Sequence, residues 1–179
     1  MTEYARVYGG SLYDLAAEEK LSDIMMEQML EIKELFRENP DYIKLLSEPS
    51  IKKDERLKLI EDAFGSQAER YLVSFIKLLC EKNILNEFEG CLEHFKQRYN
   101  SDHNISEAVV TSAVKLTDEQ LAVLKSKLEK TSGKTITLVE KNDASLLAGL
   151  KVEMEGKLLD GSVSGRLAGL SRALDETIM

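Results

Sequence analysis

A chain of 179 residues, 43% hydrophobic and 31% charged, carries enough apolar material for one large domain or two small ones and too much for intrinsic disorder. Its formal net charge of −8, with a pI near 5.0, comes with Lys and Arg scattered rather than gathered into a stripe. That argues against nucleic acid or an anionic membrane surface as an electrostatic partner and favours a basic patch on another protein.

From residue 1 to about residue 104 every apolar pattern has helical period, and six segments separate. Tyr4, Tyr8, Leu12 and Leu15 make the first stripe. The same segment holds Gly9, Gly10 and Tyr13. Each glycine weakens a helix by about 1 kcal/mol, a cost tolerated where something packs closely, and tyrosine is enriched at protein interfaces. Leu21, Met25, Met29, Ile32 and Phe36 make the second stripe, and its methionines read as core rather than as an adaptable binding surface. Asn39-Pro40 caps and opens a short third helix with Tyr42, Leu45 and Leu46, which Pro49 closes. Leu57, Ile60 and Phe64 form a fourth stripe ending at Gly65, and Ser66 with Glu69 predicts a capping box ahead of Leu72, Phe75, Ile76 and Leu79. The sixth follows Asn83: Ile84, Phe88, Cys91, Phe95 and Tyr99. Connections this short predict an antiparallel six-helix bundle.

Around Ser101 to Asn104 the composition turns polar, and afterwards the period becomes two. The boundary is set there, giving domains 1–104 and 105–179 and an α+β, two-domain fold class: a helical bundle followed by a small α/β domain. Ala108, Val110, Ser112 and Val114 alternate as a half-buried strand. Thr117 with Gln120 forms a capping box, and Leu121, Leu124 and Leu128 recur at helical spacing up to Gly133. Gly133-Lys134-Thr135 matches the end of a phosphate-binding P-loop. Leu128, however, stands where that loop needs its first glycine, so Gly133 reads as the end of a helix. Thr135 to Val139 is a second strand, and Leu150, Val152 and Met154 share one face of a third. Glu155-Gly156 turns the chain back through Lys157 to Leu159, and a last helix is expected from an N-cap at Ser162 through Val163, Leu167, Leu170 and Leu174. The first 104 residues hold 14 basic against 21 acidic residues and the remainder 10 against 11, so the net negative charge sits almost wholly on the helical part.

No converging set of nucleophile, base or metal ligands is present in the pattern, and the chain is read as having no catalytic residue, no metal site and no cofactor. His94 and His103 are the only histidines, and the glycine-rich run Asp160 to Gly165 lacks the dinucleotide-binding order. Cys80 and Cys91 fall in different helices without ligand spacing and read as reduced core thiols of an intracellular protein. No apolar run is long enough to span a bilayer and the N-terminus lacks the features of a signal peptide, so no direct membrane insertion is expected.

Two stretches carry a resemblance that covers the whole chain. "YARVYGGSLYDLA" at the start, and above all "SLLAGLKVEMEGKLLDGSVSGRLAGL" with Ala148-Gly149, Asp160, Gly161, Ser162, Val163, Arg166 and Leu167, resemble the δ subunit of bacterial F-type ATP synthases, homologue of the mitochondrial oligomycin-sensitivity-conferring protein. The family's usual turn is Gly-Asp, where this chain has Glu155-Gly156. The resemblance implies a non-catalytic stator subunit on the cytoplasmic face of the bacterial plasma membrane. Its helical domain would bind N-terminal helices of the α subunits of the catalytic head, and its C-terminal domain the b subunit of the peripheral stalk. An RNA-binding or adaptor protein is the alternative, disfavoured for RNA by the acidic balance and the lack of a GxxG loop. Contact residues are chosen from the helical pattern: Tyr8 and Leu12 with Phe75 and Leu79 as walls of a head-binding groove, each of which fits bundle core equally. Val163, Leu167 and Leu170 are chosen as the stalk-docking surface.

Overall fold

The computed structural model describes residues 2–144, 146 and 149–161, and the chain divides into two units, Met1–Tyr99 and Asn100–Met179. Among the described residues the fold is α+β, with seven α-helices and a four-stranded sheet. The division falls after Tyr99, inside the sixth helix, which ends at Asp102.

Six helices build the first unit: α1 (Glu3–Glu18), α2 (Ser22–Glu38), α3 (Pro40–Ser47), α4 (Lys53–Phe64), α5 (Arg70–Glu81) and, after a 3₁₀ turn at Leu85–Glu87, α6 (Phe88–Asp102). Thr2 caps α1, its hydroxyl accepting from the Ala5 N–H at 3.2 Å, and Pro40 opens α3 where its missing N–H costs nothing. Two expected caps differ. Asn39 leaves α3 without a side-chain cap and instead donates from Nδ2 to the Leu35 carbonyl at 2.9 Å, closing α2. The Ser66–Glu69 box does not form: residues 65–67 are a turn, α5 starts at Arg70, and Gln28 Oε1 of α2 accepts the Glu69 N–H at 2.8 Å. A tertiary neighbour supplies the acceptor that a local motif was expected to give.

The interior is continuous. Tyr13, Met25, Met29, Leu46, Ile60, Leu72, Ile76, Leu79, Leu92 and Phe95 are almost wholly excluded from solvent. Phe36 meets Phe88 and Phe64 edge-on, with ring centres 5.2 and 6.1 Å apart. Arg56, buried on α4, donates to the Leu46 carbonyl and to Asn83 Oδ1, both at 3.0 Å, tying the end of α3 to the turn after α5. Thr2 contacts Glu87, Gly9 lies against Cys91, Tyr13 against Phe95 and Asp14 against Arg98, so α1 and α6 run parallel. This departs from the antiparallel bundle that the short connections predict: those connections orient chain neighbours only, and α1 and α6 are not neighbours in the chain.

In the second unit β1 (Ile105–Ser112), α7 (Asp118–Ser132) and β2 (Thr135–Asn142) form a parallel β-α-β crossover. Strands β3 (Leu150–Met154) and β4 (Lys157–Asp160) add antiparallel neighbours, giving the order β2-β1-β3-β4. Burial alternates along β1, with Ser106, Ala108, Val110 and Ser112 inward, and Leu128, Ile136 and Val152 complete that core. Val114 does not continue the strand: Ser112 Oγ donates to its carbonyl at 2.8 Å, closing a turn that leaves Val114 exposed. Thr117 and Gln120 do make the reciprocal capping box, and Gly133 ends α7 in the left-handed conformation at φ 70°. Glu155 and Gly156 both have positive φ, as a two-residue hairpin turn requires.

Candidate functional site

The face that α1 buries is not the one its large side chains suggest. Ala5, Gly9, Gly10, Leu12, Tyr13 and Ala16 point inward, whereas Tyr4 is 58% exposed and Tyr8 only half-buried. The glycines let α6 approach: a methyl on Gly9 would lie 2.3 Å from the Cys91 carbonyl oxygen, and one on Gly90 would lie 2.9 Å from the Ala5 methyl. The close packing that Gly9 and Gly10 signal is therefore with this chain's own helix. Cys80 and Cys91 are buried free thiols; burial raises Cys80 above the usual thiol range and pushes Cys91 up to about 11, so neither is a nucleophile near neutral pH.

Because α6 takes that face, the other shoulder of α1 is left to border α5. Tyr8, Ser11, Leu12 and Leu15 on α1 and Tyr71, Ser74, Phe75 and Leu78 on α5 enclose an open groove of about 240 Å³. Each wall is a two-turn stripe at i, i+3, i+4 and i+7, so its four side chains stand on one helix face. Tyr8, Leu12 and Phe75, chosen from the sequence, line the groove together, whereas Leu79 is fully buried in the core and Leu78 stands in the groove. Ser11, Leu15, Tyr71, Ser74 and Leu78 were not chosen. Beyond the groove Tyr4 and Val7, each at least half exposed, continue the apolar surface of α1.

The polar groups here are few and mostly engaged. Ser74 Oγ donates to the Arg70 carbonyl at 2.8 Å. The Arg70 guanidinium donates to Tyr71 Oη at 3.1 Å and lies 4.9 Å from the Tyr71 ring centre. His94 packs its ring against Gly10, with Nδ1 buried and unbonded, and does not line the groove. Among the described residues no three His, Cys, Asp or Glu side chains gather as a metal site. A shallow apolar trough with fixed walls can hold a side-chain stripe; it offers nothing that makes or breaks a bond.

In the second unit the Gly-Lys-Thr run is a helix end followed by a strand. Lys134 Nζ meets Glu155 Oε1 at 2.5 Å, and Ser106 Oγ donates to the same oxygen at 3.2 Å. The Lys134 ammonium holds the Glu155 carboxyl below the usual carboxylate range, so this lysine fastens the β3–β4 turn to the start of β2. Val163, Leu167 and Leu170, with the expected last helix and its cap at Ser162, lie outside the described residues.

Known proteins resemble the chain along nearly its whole length. The family model described as ATP synthase delta (OSCP) subunit matches residues 4–174. ATP synthase subunit delta of Lachnoclostridium phytofermentans is 31% identical, covering 95% of this chain and 94% of its own. Its counterpart in Prochlorococcus marinus is 30% identical over 94% of each, and that of Clostridioides difficile 25% over 97% of each. A chain in the cryo-EM structure of the Toxoplasma gondii mitochondrial ATP synthase hexamer superposes with a TM-score of 0.75 at 14% identity, over 97% of this chain and 98% of that one, a likeness of fold.

Proposed function

The chain belongs to the ATP synthase delta (OSCP) subunit family, and from that premise we propose how its parts share the work of a stator. The protein is a non-catalytic subunit of the ATP synthase, and its role is mechanical: it ties the catalytic head to the peripheral stalk so that rotation does work against a fixed body. In this reading residues 1–104 form a helical bundle that grips the head, and residues 105–179 form a small α/β domain that grips the stalk. The partner of the first is the N-terminal helix of an α subunit; the partner of the second is the b subunit, with Val163, Leu167 and Leu170 as its docking surface. The complex is placed on the cytoplasmic face of a bacterial plasma membrane with this subunit peripheral, and no described helix is long and apolar enough to cross a membrane.

The observation that supports the head contact is the groove between α1 and α5. An amphipathic helix presents anchors at the same i, i+3, i+4, i+7 spacing as the groove walls, and burying them supplies attachment without any reacting group. Tyr8 is half-buried in the free chain, so a partner helix covers its remaining surface. Calorimetric titration of the full chain with a peptide spanning the α-subunit N-terminal helix of the same source tests this. One-to-one binding, weakened about tenfold by Tyr8→Ala, is expected. No heat of binding to the folded chain would remove the groove from the account.

A further inference from the structure

The two walls of the groove repeat one another. Tyr8-x-x-Ser11-Leu12-x-x-Leu15 on α1 and Tyr71-x-x-Ser74-Phe75-x-x-Leu78 on α5 have the same order of aromatic, serine, apolar and leucine residues. The helices carrying them run in opposite directions. Glu19, just past the end of α1, acts electrostatically on Arg70 at the start of α5, and Thr2, ahead of α1, meets Glu87 beyond the end of α5. Antiparallel copies of one stripe are related by an approximate twofold axis across the groove. Each end therefore offers one tyrosine and one leucine, and the middle offers a serine beside a large apolar side chain on each wall. Each stripe spans about 10 Å, two turns of helix. A bound amphipathic helix meets nearly the same apolar surface whichever way round it lies, so packing alone does not fix its direction.

The ends differ in charge. At the end marked by Tyr71 and Leu15, Arg70 is stacked on the Tyr71 ring and donates to its hydroxyl, which holds the guanidinium beside a groove-lining side chain. Among the described residues it makes no ion pair; Glu19 and Glu69 act on it only through space. At the other end, marked by Tyr8 and Leu78, the stripes run out into Glu3 on α1 and into Glu81 and Lys82 on α5. Glu81 is paired with Lys53 at 3.2 Å, and Lys82, on its flexible stem, is held by no ring or hydroxyl among the described residues, so that end has no cation fixed as Arg70 is. Arg6 is two residues from Tyr8, on the far side of the helix.

We infer that Arg70 sets the direction of the bound helix, by accepting a carboxylate placed one turn beyond the partner's apolar stripe. The inference rests on the groove reading above and adds the residue that makes a near-symmetric groove directional. A planar guanidinium already held by a ring and a phenol loses little freedom when it meets a carboxylate. An exposed ion pair of this kind supports a directional preference of roughly 1.5 to five to one.

The test uses the full chain and two synthetic helical peptides that share one leucine stripe. They differ only in whether a single glutamate lies one turn before or one turn after that stripe, and each carries a nitroxide at its amino end. Line broadening in the amide spectrum reports where the nitroxide sits. With glutamate first, broadening is expected near Leu15 and Tyr71; with glutamate last, near Tyr8 and Leu78. Arg70→Gln, whose fold the same spectrum checks, is expected to bring both peptides to about one to one. Both peptides lying the same way round, or an unchanged preference in Arg70→Gln, would overturn the inference while leaving the groove in place. Broadening at neither stripe would overturn the groove reading and the inference with it.

Discussion

Gly9 shows how one residue decides what a helix can touch. A methyl there would sit 2.3 Å from the Cys91 carbonyl oxygen and 3.0 Å from its carbonyl carbon and Cα, all backbone of another helix and unable to step aside. Gly10, its neighbour, faces side chains, the His94 ring at 3.3 Å and the Arg98 guanidinium at 3.9 Å, and a side chain can turn away. Gly9→Ala is therefore expected to cost about 3 kcal/mol and to lower the midpoint of thermal unfolding by roughly 5–10 °C. In Gly10→Ala the better helix propensity of alanine, about 1 kcal/mol, offsets the small contact. Equal losses in the two variants would mean that the α1–α6 contact is looser than described. The α1 stripe of large residues read from the sequence misses this, because Ala5, Gly9 and Ala16 carry almost no hydropathy signal though the contact depends on their smallness.

At the scale of the element, what was legible depended on whether the deciding partner was local. Thr117 and Gln120 sit three residues apart and find each other without help, and Gly133 needs only its own left-handed backbone, so α7 and the rejection of a phosphate loop follow from sequence. The start of α5 does not, because the group that satisfies the Glu69 N–H is Gln28, forty-one positions away. Gln28→Ala is expected to destabilise the chain by about 1 kcal/mol, and Ser66→Ala to leave it unchanged in denaturant unfolding. The reverse result would restore the local capping box. The groove was half legible for a similar reason. Tyr8, Leu12 and Phe75 were placed by period, but Leu78 and Leu79 are adjacent leucines separated by one 100° step, and only packing decides which faces inward.

For the whole molecule the charge balance and the lack of chemistry point the same way. The first 104 residues carry seven more acidic than basic residues, from 21 against 14, and the groove is set in that acidic part. A steady electrostatic bias of this kind favours capture of a basic or mixed partner surface and disfavours nucleic acid. A stator needs two attachments that hold at once. The most direct measurement is sedimentation of the purified catalytic head and the soluble part of the peripheral stalk from the same source, with and without this chain. The account predicts that head and stalk sediment together only when the chain is present, in one complex containing all three. Head and stalk sedimenting together equally well without it, or the chain binding one and thereby excluding the other, would contradict its role as the link between them.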